Sequence, residues 1–265
     1  MASRFARWPA GVQAAVSLTF DDALDSQLAV AVPLLEAYGV RGTFYVNPGP
    51  GSRFERDLAR WRAVHQQGHE LGNHTLRHPC SGEHPFVEPG QALERWSLAE
   101  IEADVLAASA RLRALVPAIG RFSFAYPCGE SFVGGGPRRQ SYEPVIARHF
   151  TVARALGGAG NDPATCRLHR LESWVVHEVG APEVVAAVER AVAVGQWAIL
   201  CFHGVGGDYL AVEPRVLRGL LRWLAGLQPR VWIDTVQAVG EYVAAARADS
   251  LRAGTGQTSG RWAER

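Results

Sequence analysis

The chain has 265 residues, 48% of them hydrophobic and 20% charged, which suits one large globular domain or two small ones. A formal net charge of +1 gives no argument for a nucleic-acid partner or an acidic membrane surface. Residues 1–11 lack the continuous apolar core of a signal peptide, and no apolar run reaches the ~20 residues of a membrane span, so we expect a cytoplasmic protein without a membrane partner.

Short apolar segments rich in β-branched and aromatic residues alternate along the chain with segments that are apolar at helical spacing. The pattern predicts strands at residues 12–20, 40–46, 68–72, 121–126, 150–156, 168–176, 197–202 and 231–235. It predicts helices at residues 26–38, 56–66, 97–116, 182–194, 212–224 and 236–246. Such alternation is typical of parallel strands covered by helices, and at this length it favours a (β/α) barrel over an open sheet. We expect one domain over residues 1–247 and a flexible polar tail over residues 248–265.

The predicted strand at residues 12–20 runs directly into two adjacent carboxylates, Asp21 and Asp22. Successive side chains of a strand point to opposite faces, so both carboxylates can face one way only if the strand ends there. Neighbouring carboxylates without a partner repel each other, which raises the pKa of one of them, and a nearby cation relieves that repulsion. The pair therefore indicates a metal site.

His74 and His78 supply two imidazoles at a spacing of four residues. One helical turn between them would place both rings on one face, close enough to share a cation. One further carboxylate completes a His-His-carboxylate set with open positions for water and substrate, and Asp22 is our candidate. A polar surface turn is the alternative interpretation of the two histidines, and the acidic pair counts against it.

The candidate residues also share a position relative to the predicted strands. Asp21, Asp22, His74, Tyr126 and His203 all stand at or just past strand ends. In barrels of parallel strands, functional residues gather at the carboxyl ends of the strands. This coincidence supports one site built from several strands.

Other polar residues are given structural roles. His69 and Glu70 suggest the zinc-protease pattern His-Glu-x-x-His, but Asn73 stands where its second histidine belongs. We therefore expect His69 and Glu70 to be structural or to support the site. The four cysteines lie far apart without a C-x-x-C pair, which argues against a cysteine zinc site and leaves a disulfide between distant residues open.

Four short motifs stand in order along the chain: T-F-D-D at 19–22, G-N-H-T-L-R-H-P at 72–79, F-A-Y-P-C-G-E at 124–130 and L-C-F-H at 200–203. They resemble the motifs of the polysaccharide deacetylases of carbohydrate esterase family four, the NodB-homology domain. Order and spacing agree with the family from about Ala15 to Tyr242, and the first two motifs together are highly specific.

The resemblance implies an α/β fold, a distorted (β/α)7 barrel of the NodB-homology type. It also implies a divalent metal, usually zinc, with cobalt or another transition metal as alternatives. The implied metal ligands are Asp22, His74 and His78. Asp21 is implied as the general base, His203 as the general acid, and the backbone N–H of Cys128 as a donor to the oxyanion. This scheme suits amide hydrolysis, because a bound metal can lower the pKa of water toward ~7 while the base accepts its proton.

The third and fourth motifs depart from the family pattern. The third motif usually carries an arginine that orients the base, and Ala125 stands in its place here. Arg154 and Arg170 follow later predicted strands, and the sequence leaves the choice between them open. The fourth motif, an acidic residue and a tryptophan that tune the acid histidine, is present only faintly as E-S-W at 172–174, where Trp174 is equally explained as core.

These residues favour a metal-dependent hydrolase that acts on carbon–nitrogen bonds other than peptide bonds and removes acetyl groups from an N-acetylated or O-acetylated carbohydrate. One alternative is an amidase or imidase acting on a small non-sugar amide, against which the intact metal set counts. The other is a catalytically silent carbohydrate-binding module, against which the presence of Asp21 and His203 counts. The expected partner is a carbohydrate or a small acetylated substrate, and the missing signal peptide favours a small intracellular glycoconjugate.

Overall fold

The computed structural model describes residues 8–158 and 160–256 of the chain. Its strands are β1 (Ala14–Asp21), β2 (Thr43–Val46), β3 (Glu70–Asn73), β4 (Phe124–Ala125), β5 (Phe132–Val133), β6 (Gln140–Ser141), β7 (Ala153–Arg154), β8 (Gly160–Asn161), β9 (Trp174–Val175), β10 (Trp197–Phe202) and β11 (Val231–Ile233). Its α-helices are α1 (Val32–Ala37), α2 (Arg53–Arg56), α3 (Leu58–Gln66), α4 (Leu98–Leu115), α5 (Glu143–His149), α6 (Ala181–Ala193), α7 (Pro214–Ala225) and α8 (Val236–Gly256).

Strand β1 is part of the barrel wall. It pairs in parallel with β2 on one side and with β10 on the other. From β2 the parallel pairing continues through β3 and β4 to β7. Arg154 of β7 bridges in parallel to Leu171, and the segment that follows Leu171 pairs as β9 with β10. Within the described residues, β1, β2, β3, β4, β7, β9 and β10 therefore follow one another around the barrel wall, and the step from β7 toward β9 is the single bridge between Arg154 and Leu171. This arrangement confirms the predicted distorted (β/α)7 barrel.

The barrel is irregular away from β1. Strands β4 and β7 have 2 residues each, and β8 pairs with β10 in the antiparallel direction. The last predicted strand forms as β11, but it pairs with residues Ala14 to Val16 at the start of β1 and so lies outside the ring.

The centre of the barrel wall is held by buried strands. Every residue of β1 and β10 is buried, as expected of parallel strands that are covered on both faces. The ring of Phe20 stacks between those of Phe44 and Phe202, at centroid distances of 4.9 and 5.3 Å. Such aromatic pairs add about 0.5–1.5 kcal/mol beyond the burial of their surface. The stack fixes three neighbouring strands beside the point where β1 ends at Asp21.

Helix α4 begins where the sequence predicts it. The Ser97 side chain accepts a hydrogen bond from the Glu100 N–H, and the Glu100 carboxylate accepts one from the Ser97 N–H, which forms a capping box. The helix carries the buried Asp104, whose carboxylate accepts the Leu76 N–H at 2.7 Å. Helix α4 therefore supports the segment between His74 and His78.

Two helices differ from their predictions at an end. The predicted helix 26–38 begins with a π-helical turn, Gln27–Ala31, before α1. Helix α8 continues to Gly256, so residues 248–256, predicted as flexible tail, extend the helix. Residues 257–265 of the predicted tail lie outside the described residues. In the part of the chain that the structure describes, no helix combines the length and apolar character needed to cross a membrane.

Candidate active site

The carboxyl ends of several neighbouring strands meet at a cavity of about 860 Å³. Strand β1 delivers Asp21 and Asp22 to the cavity wall, and β10 delivers His203. The segments that follow β3 and β4 contribute His74, His78 and Cys128. The structure thus brings together all the residues that were predicted as metal ligands, base, acid and oxyanion donor.

The two adjacent carboxylates are separated by a turn in the backbone. Asp21 is the last residue of β1, whereas Asp22 has a positive φ of 77°. Aspartate tolerates this left-handed region better than most residues, and the Asp22 N–H donates to the Tyr45 carbonyl oxygen at 3.0 Å. The turn lets each carboxylate face its own set of partners.

Asp22, His74 and His78 approach one another as metal ligands do. Oδ1 of Asp22 lies 3.3 Å from Nε2 of His78 and 3.6 Å from Nε2 of His74. One ligand atom from each of the three residues lies within 4.8 Å of the other two. A single cation can therefore contact all three side chains.

His74 has the protonation state and orientation of a metal ligand. Its Nδ1 donates to the Ala125 carbonyl oxygen at 2.9 Å, which leaves Nε2 on the side of Asp22. A hydrogen bond of this kind fixes the tautomer of a metal-binding histidine. Burial lowers the pKa of His74 to about 4, so the ring is neutral at pH 7, as a ligand must be. One carboxylate with two imidazoles is a set that zinc and cobalt accept.

The backbone between the two histidines is not the helical turn predicted from their spacing. Thr75 and His78 have positive φ values of 65° and 51°, which a right-handed helix excludes. Side chains hold the segment instead: Asn73 Oδ1 accepts the Thr75 N–H at 2.7 Å, and Thr75 Oγ1 accepts the His78 N–H at 3.0 Å. The ring centroids of His74 and His78 nevertheless lie 4.8 Å apart.

Arg154 supplies the positive charge that the third motif lacks. Its Nη2 lies 2.6 Å from each carboxylate oxygen of Asp21, and the whole side chain is buried. Arg154 on β7 is paired in register with Ala125 on β4, so the guanidinium reaches Asp21 from the strand beside the one that carries the family arginine. Arg170, the other candidate, contacts the Ser131 hydroxyl at 3.5 Å instead.

The surroundings of Asp21 keep it ionised. Burial alone would raise the pKa of Asp21, but the Arg154 guanidinium, with His74 and His203, holds this pKa well below its usual range. The Cys201 thiol also donates to Oδ2 of Asp21 at 3.4 Å, and burial raises the pKa of this thiol. Asp21, Cys201 and His203 are also close enough to act as a second set of ligands for one metal ion. The ion pair with Arg154, however, already occupies the Asp21 carboxylate.

Residues 10–133 match the family model described as polysaccharide deacetylase. The resemblance to the polysaccharide deacetylases is confirmed. The match also supports the predicted class of hydrolases, those acting on carbon–nitrogen bonds other than peptide bonds. A search of curated protein sequences found no match.

Solved structures related to this family share the fold. A Mycobacterium smegmatis protein assigned to the polysaccharide deacetylases has a TM-score of 0.59 at 15% identity, with 90% of this chain and 92% of that chain covered. A family 4 acetyl xylan esterase from Clostridium thermocellum, solved with a cobalt ion, has a TM-score of 0.53 at 22% identity, covering 83% and 87%. A family 4 pseudoenzyme from Bacillus anthracis has a TM-score of 0.53 at 16% identity, covering 86% and 66%. At these identities the likeness establishes the fold alone.

Tyr209 is a site residue that the sequence did not reveal. Its hydroxyl donates to Oδ2 of Asp22 at 2.8 Å, and its ring lies 6.1 Å from that of His203. The residue is 43% exposed in the glycine-rich segment after β10. The signal available in the sequence was an aromatic residue in a glycine-rich segment shortly after a candidate catalytic histidine.

His203 lacks the tuning partner expected from the fourth motif. Its Nε2 lies 3.9 Å from Oδ2 of Asp22, and its buried Nδ1 has no hydrogen-bond partner among the described residues. Glu172 accepts the Gly158 N–H at 3.2 Å, and Trp174 packs, partly buried, against the hydrophobic core. The contacts of these two residues therefore explain them as structural.

Cys128 occupies a tight turn that directly follows β4. The turn is a 3₁₀ helix, Pro127–Gly129, in which Cys128 has a φ of 54°. The backbone at Cys128 is therefore not helical, and none of the described residues accepts a hydrogen bond from the Cys128 N–H. The Cys128 sulfur is bonded to that of Cys80, the disulfide that the sequence left open.

The other residues assigned structural roles have structural contacts. Nδ1 of His69 accepts the Gly42 N–H at 2.9 Å, and Nε2 contacts the Glu36 carboxylate at 2.9 Å. The buried Glu70 accepts hydrogen bonds from Ser123 at 2.7 and 2.6 Å. These contacts connect strands and helices below the cavity.

Proposed function

We propose that the chain is a divalent-metal-dependent deacetylase that removes acetyl groups from an N-acetylated or O-acetylated carbohydrate. The observation that carries the proposal is the division of the acidic pair at the cavity: Asp22 lies with His74 and His78, whereas Asp21 lies with Arg154. The Asp22 carboxylate is thereby available to a cation. The Asp21 carboxylate stays ionised through its ion pair with Arg154 and does not need the cation. Hydrolysis of an acetamide requires both functions at one place.

Asp22, His74 and His78 would hold the metal, for which zinc is our first candidate and cobalt the second. A bound divalent cation supplies two effects, a lowered pKa of water and a polarised acetyl carbonyl. Asp21 accepts the proton of the attacking water, and the buried Arg154 keeps this carboxylate oriented toward the cavity. Because the ion pair holds the Asp21 pKa low, the base is ready at neutral pH.

His203 and Cys128 act on the substrate from other sides of the cavity. His203 donates a proton to the departing nitrogen or oxygen of the sugar, a role suited to an imidazole near neutral pH. The Cys128 N–H donates to the acetyl oxygen as negative charge develops there, and such donors count most when they are fixed before the reaction. The cavity of about 860 Å³ has room for a sugar unit with its acetyl group.

The test is metal-dependent release of acetate. The protein is stripped with a chelator, restored with zinc or cobalt, and assayed with acetylated monosaccharides, oligosaccharides, O-acetylated sugars and small non-sugar amides. We expect release from acetylated sugars that returns only with the metal. Release from the small amides alone would favour an amidase, and binding of sugars without any release would favour a silent module like the related pseudoenzyme.

A further inference from the structure

We infer that the Cys80–Cys128 disulfide positions the Cys128 N–H for catalysis, which makes Cys80 a positioning residue and makes turnover depend on the oxidised state of this pair. The inference rests on the proposed function and names a device within the same site. With a φ of 54°, Cys128 occupies the left-handed region that residues other than glycine seldom adopt. Such a conformation persists where surrounding contacts impose it.

The disulfide joins this turn to a fixed anchor. Cys80 is 1% exposed, and its carbonyl oxygen accepts the Leu93 N–H at 3.0 Å, so its backbone is held within the loop that precedes α4. The partner segments have a second connection, because the Ser81 N–H donates to the Glu130 carboxylate at 2.6 Å. Cys80 and Cys128 are 48 residues apart in the chain, and their bond ties the third motif to the second.

The same bond reaches the metal set. Cys80 stands two residues after His78, and its sulfur lies 3.6 Å from Nδ1 of that histidine, the ring nitrogen that does not face Asp22. The disulfide therefore fixes the position of the Cys128 N–H relative to His78, a proposed metal ligand. These two positions together determine where the acetyl oxygen can be held. A displacement of about 1 Å in such a relation can reduce a rate by about 100-fold.

A reductant can reach the bond through the active site. Cys128 lines the cavity, whereas Cys80 is only 1% exposed. A water-soluble phosphine attacks one sulfur and breaks the S–S bond. The phosphine is oxidised to its oxide with an oxygen atom from water, and the two thiols receive the two electrons and two protons. Reduction frees the turn at Cys128 without removing any group from the reacting atoms.

The experiment compares the oxidised and reduced protein, both loaded with zinc. Mass spectrometry of the alkylated, unreduced protein first establishes whether Cys80 and Cys128 are linked, independently of activity. We expect a linked pair. On reduction with the phosphine, kcat should fall about 10-fold or more, while KM and the bound zinc per chain change less than about twofold. Reoxidation should restore kcat.

Variants separate this effect from other actions of the reductant. The double variant Cys80→Ala/Cys128→Ala keeps the backbone N–H and leaves no thiol beside His78. It should show the low kcat without reductant and no further loss with it. Cys166→Ala is the matched control, because Cys166 is a free cysteine that contacts Arg247 away from the cavity. This control should respond to the phosphine as the unmodified protein does.

Several results would overturn the inference. They are an unlinked pair, an undiminished kcat in the reduced protein and the double variant, and a loss of zinc that accounts for the fall in kcat. Failure of the proposed function has a different signature, since the oxidised, zinc-loaded protein would then release no acetate from any substrate.

Discussion

Ala125 and Arg154 stand opposite each other in the register of the parallel strands β4 and β7. The motif resemblance places the base-orienting arginine at position 125, and here the next strand carries it. Because the two positions are neighbours on adjacent strands of the barrel wall, a guanidinium from either one can be directed toward Asp21. The arginine stands at a different sequence position from the one that the resemblance implies, and it forms the ion pair with Asp21, the proposed base.

Exchange of these two residues tests the relation. Arg154→Ala should destabilise the protein by about 3–5 kcal/mol, because it leaves the buried Asp21 carboxylate without its partner. The same variant should lose most of its kcat, since the base is then neither oriented nor held ionised. Ala125→Arg combined with Arg154→Ala should recover part of both losses, measured by chemical denaturation and acetate release.

Arg170→Ala is the control for this exchange, because Arg170 contacts Ser131 and not Asp21. We expect its stability to change far less than that of Arg154→Ala, because Arg170 is only partly buried and its removal leaves no buried carboxylate without a partner. A double variant no better than Arg154→Ala would show that position 125 cannot host the arginine in this barrel.

The two carboxylates should separate in their response to substitution. Asp21→Asn should keep metal affinity within about threefold and lower kcat by about 10²–10⁴, the usual contribution of a general base. Asp22→Asn should weaken metal binding itself, because it removes the only carboxylate among the three proposed ligands. Calorimetric titration of the metal-free proteins with zinc or cobalt measures the metal affinity. Acetate release measures kcat.

Full activity in Asp21→Asn would reject Asp21 as the base. Loss of metal in Asp21→Asn with retention in Asp22→Asn would reverse the proposed division of the pair. Both substitutions remove one charge at adjacent positions, so each serves as the control for the other.

Local patterns in the sequence predicted the barrel and the set of Asp22, His74 and His78, and the family resemblance added the roles of Asp21, His203 and Cys128. The apolar run of β10 is continuous because both faces of this strand are covered, whereas β1 alternates apolar residues with the buried Ser17 and Thr19. The two strands end directly at His203 and at Asp21–Asp22. Parallel strands bring their carboxyl ends to one edge, so residues from separate motifs were expected to meet there.

The remaining features depend on register and packing between distant segments. Arg154 and Asp21 are separated by 133 residues, and no local pattern states that β7 pairs with β4 at Ala125. The Cys80–Cys128 bond likewise depends on how two loops pack. The His74–His78 turn was wrongly predicted as helical, because a spacing of four residues does not reveal that polar side chains hold the backbone in another path.

Tyr209 should strengthen metal binding through Asp22. Its hydroxyl donates to Oδ2 of Asp22, whereas His74 and His78 face Oδ1. Loss of such an outer hydrogen bond typically weakens metal affinity about 10–100-fold. Tyr209→Phe should therefore raise the dissociation constant for zinc by about that factor. Tyr38→Phe, at the end of α1 and away from the cavity, is the matched control. Equal affinities in the two variants would exclude a role of the Tyr209 hydroxyl.

The stability of the metal-free protein should rise with pH below about 6.5, in part through His69. Burial lowers the pKa of His69 below its value of 6.5 in the unfolded chain. Between the two pKa values the unfolded chain binds more protons than the folded protein, so acid favours unfolding, and the effect ends above pH 6.5. One such group contributes at most about 1.4 kcal/mol per pH unit.

Denaturant unfolding across this range should give a shallower slope of stability against pH for His69→Gln than for the unmodified protein. An unchanged slope in His69→Gln would contradict this account.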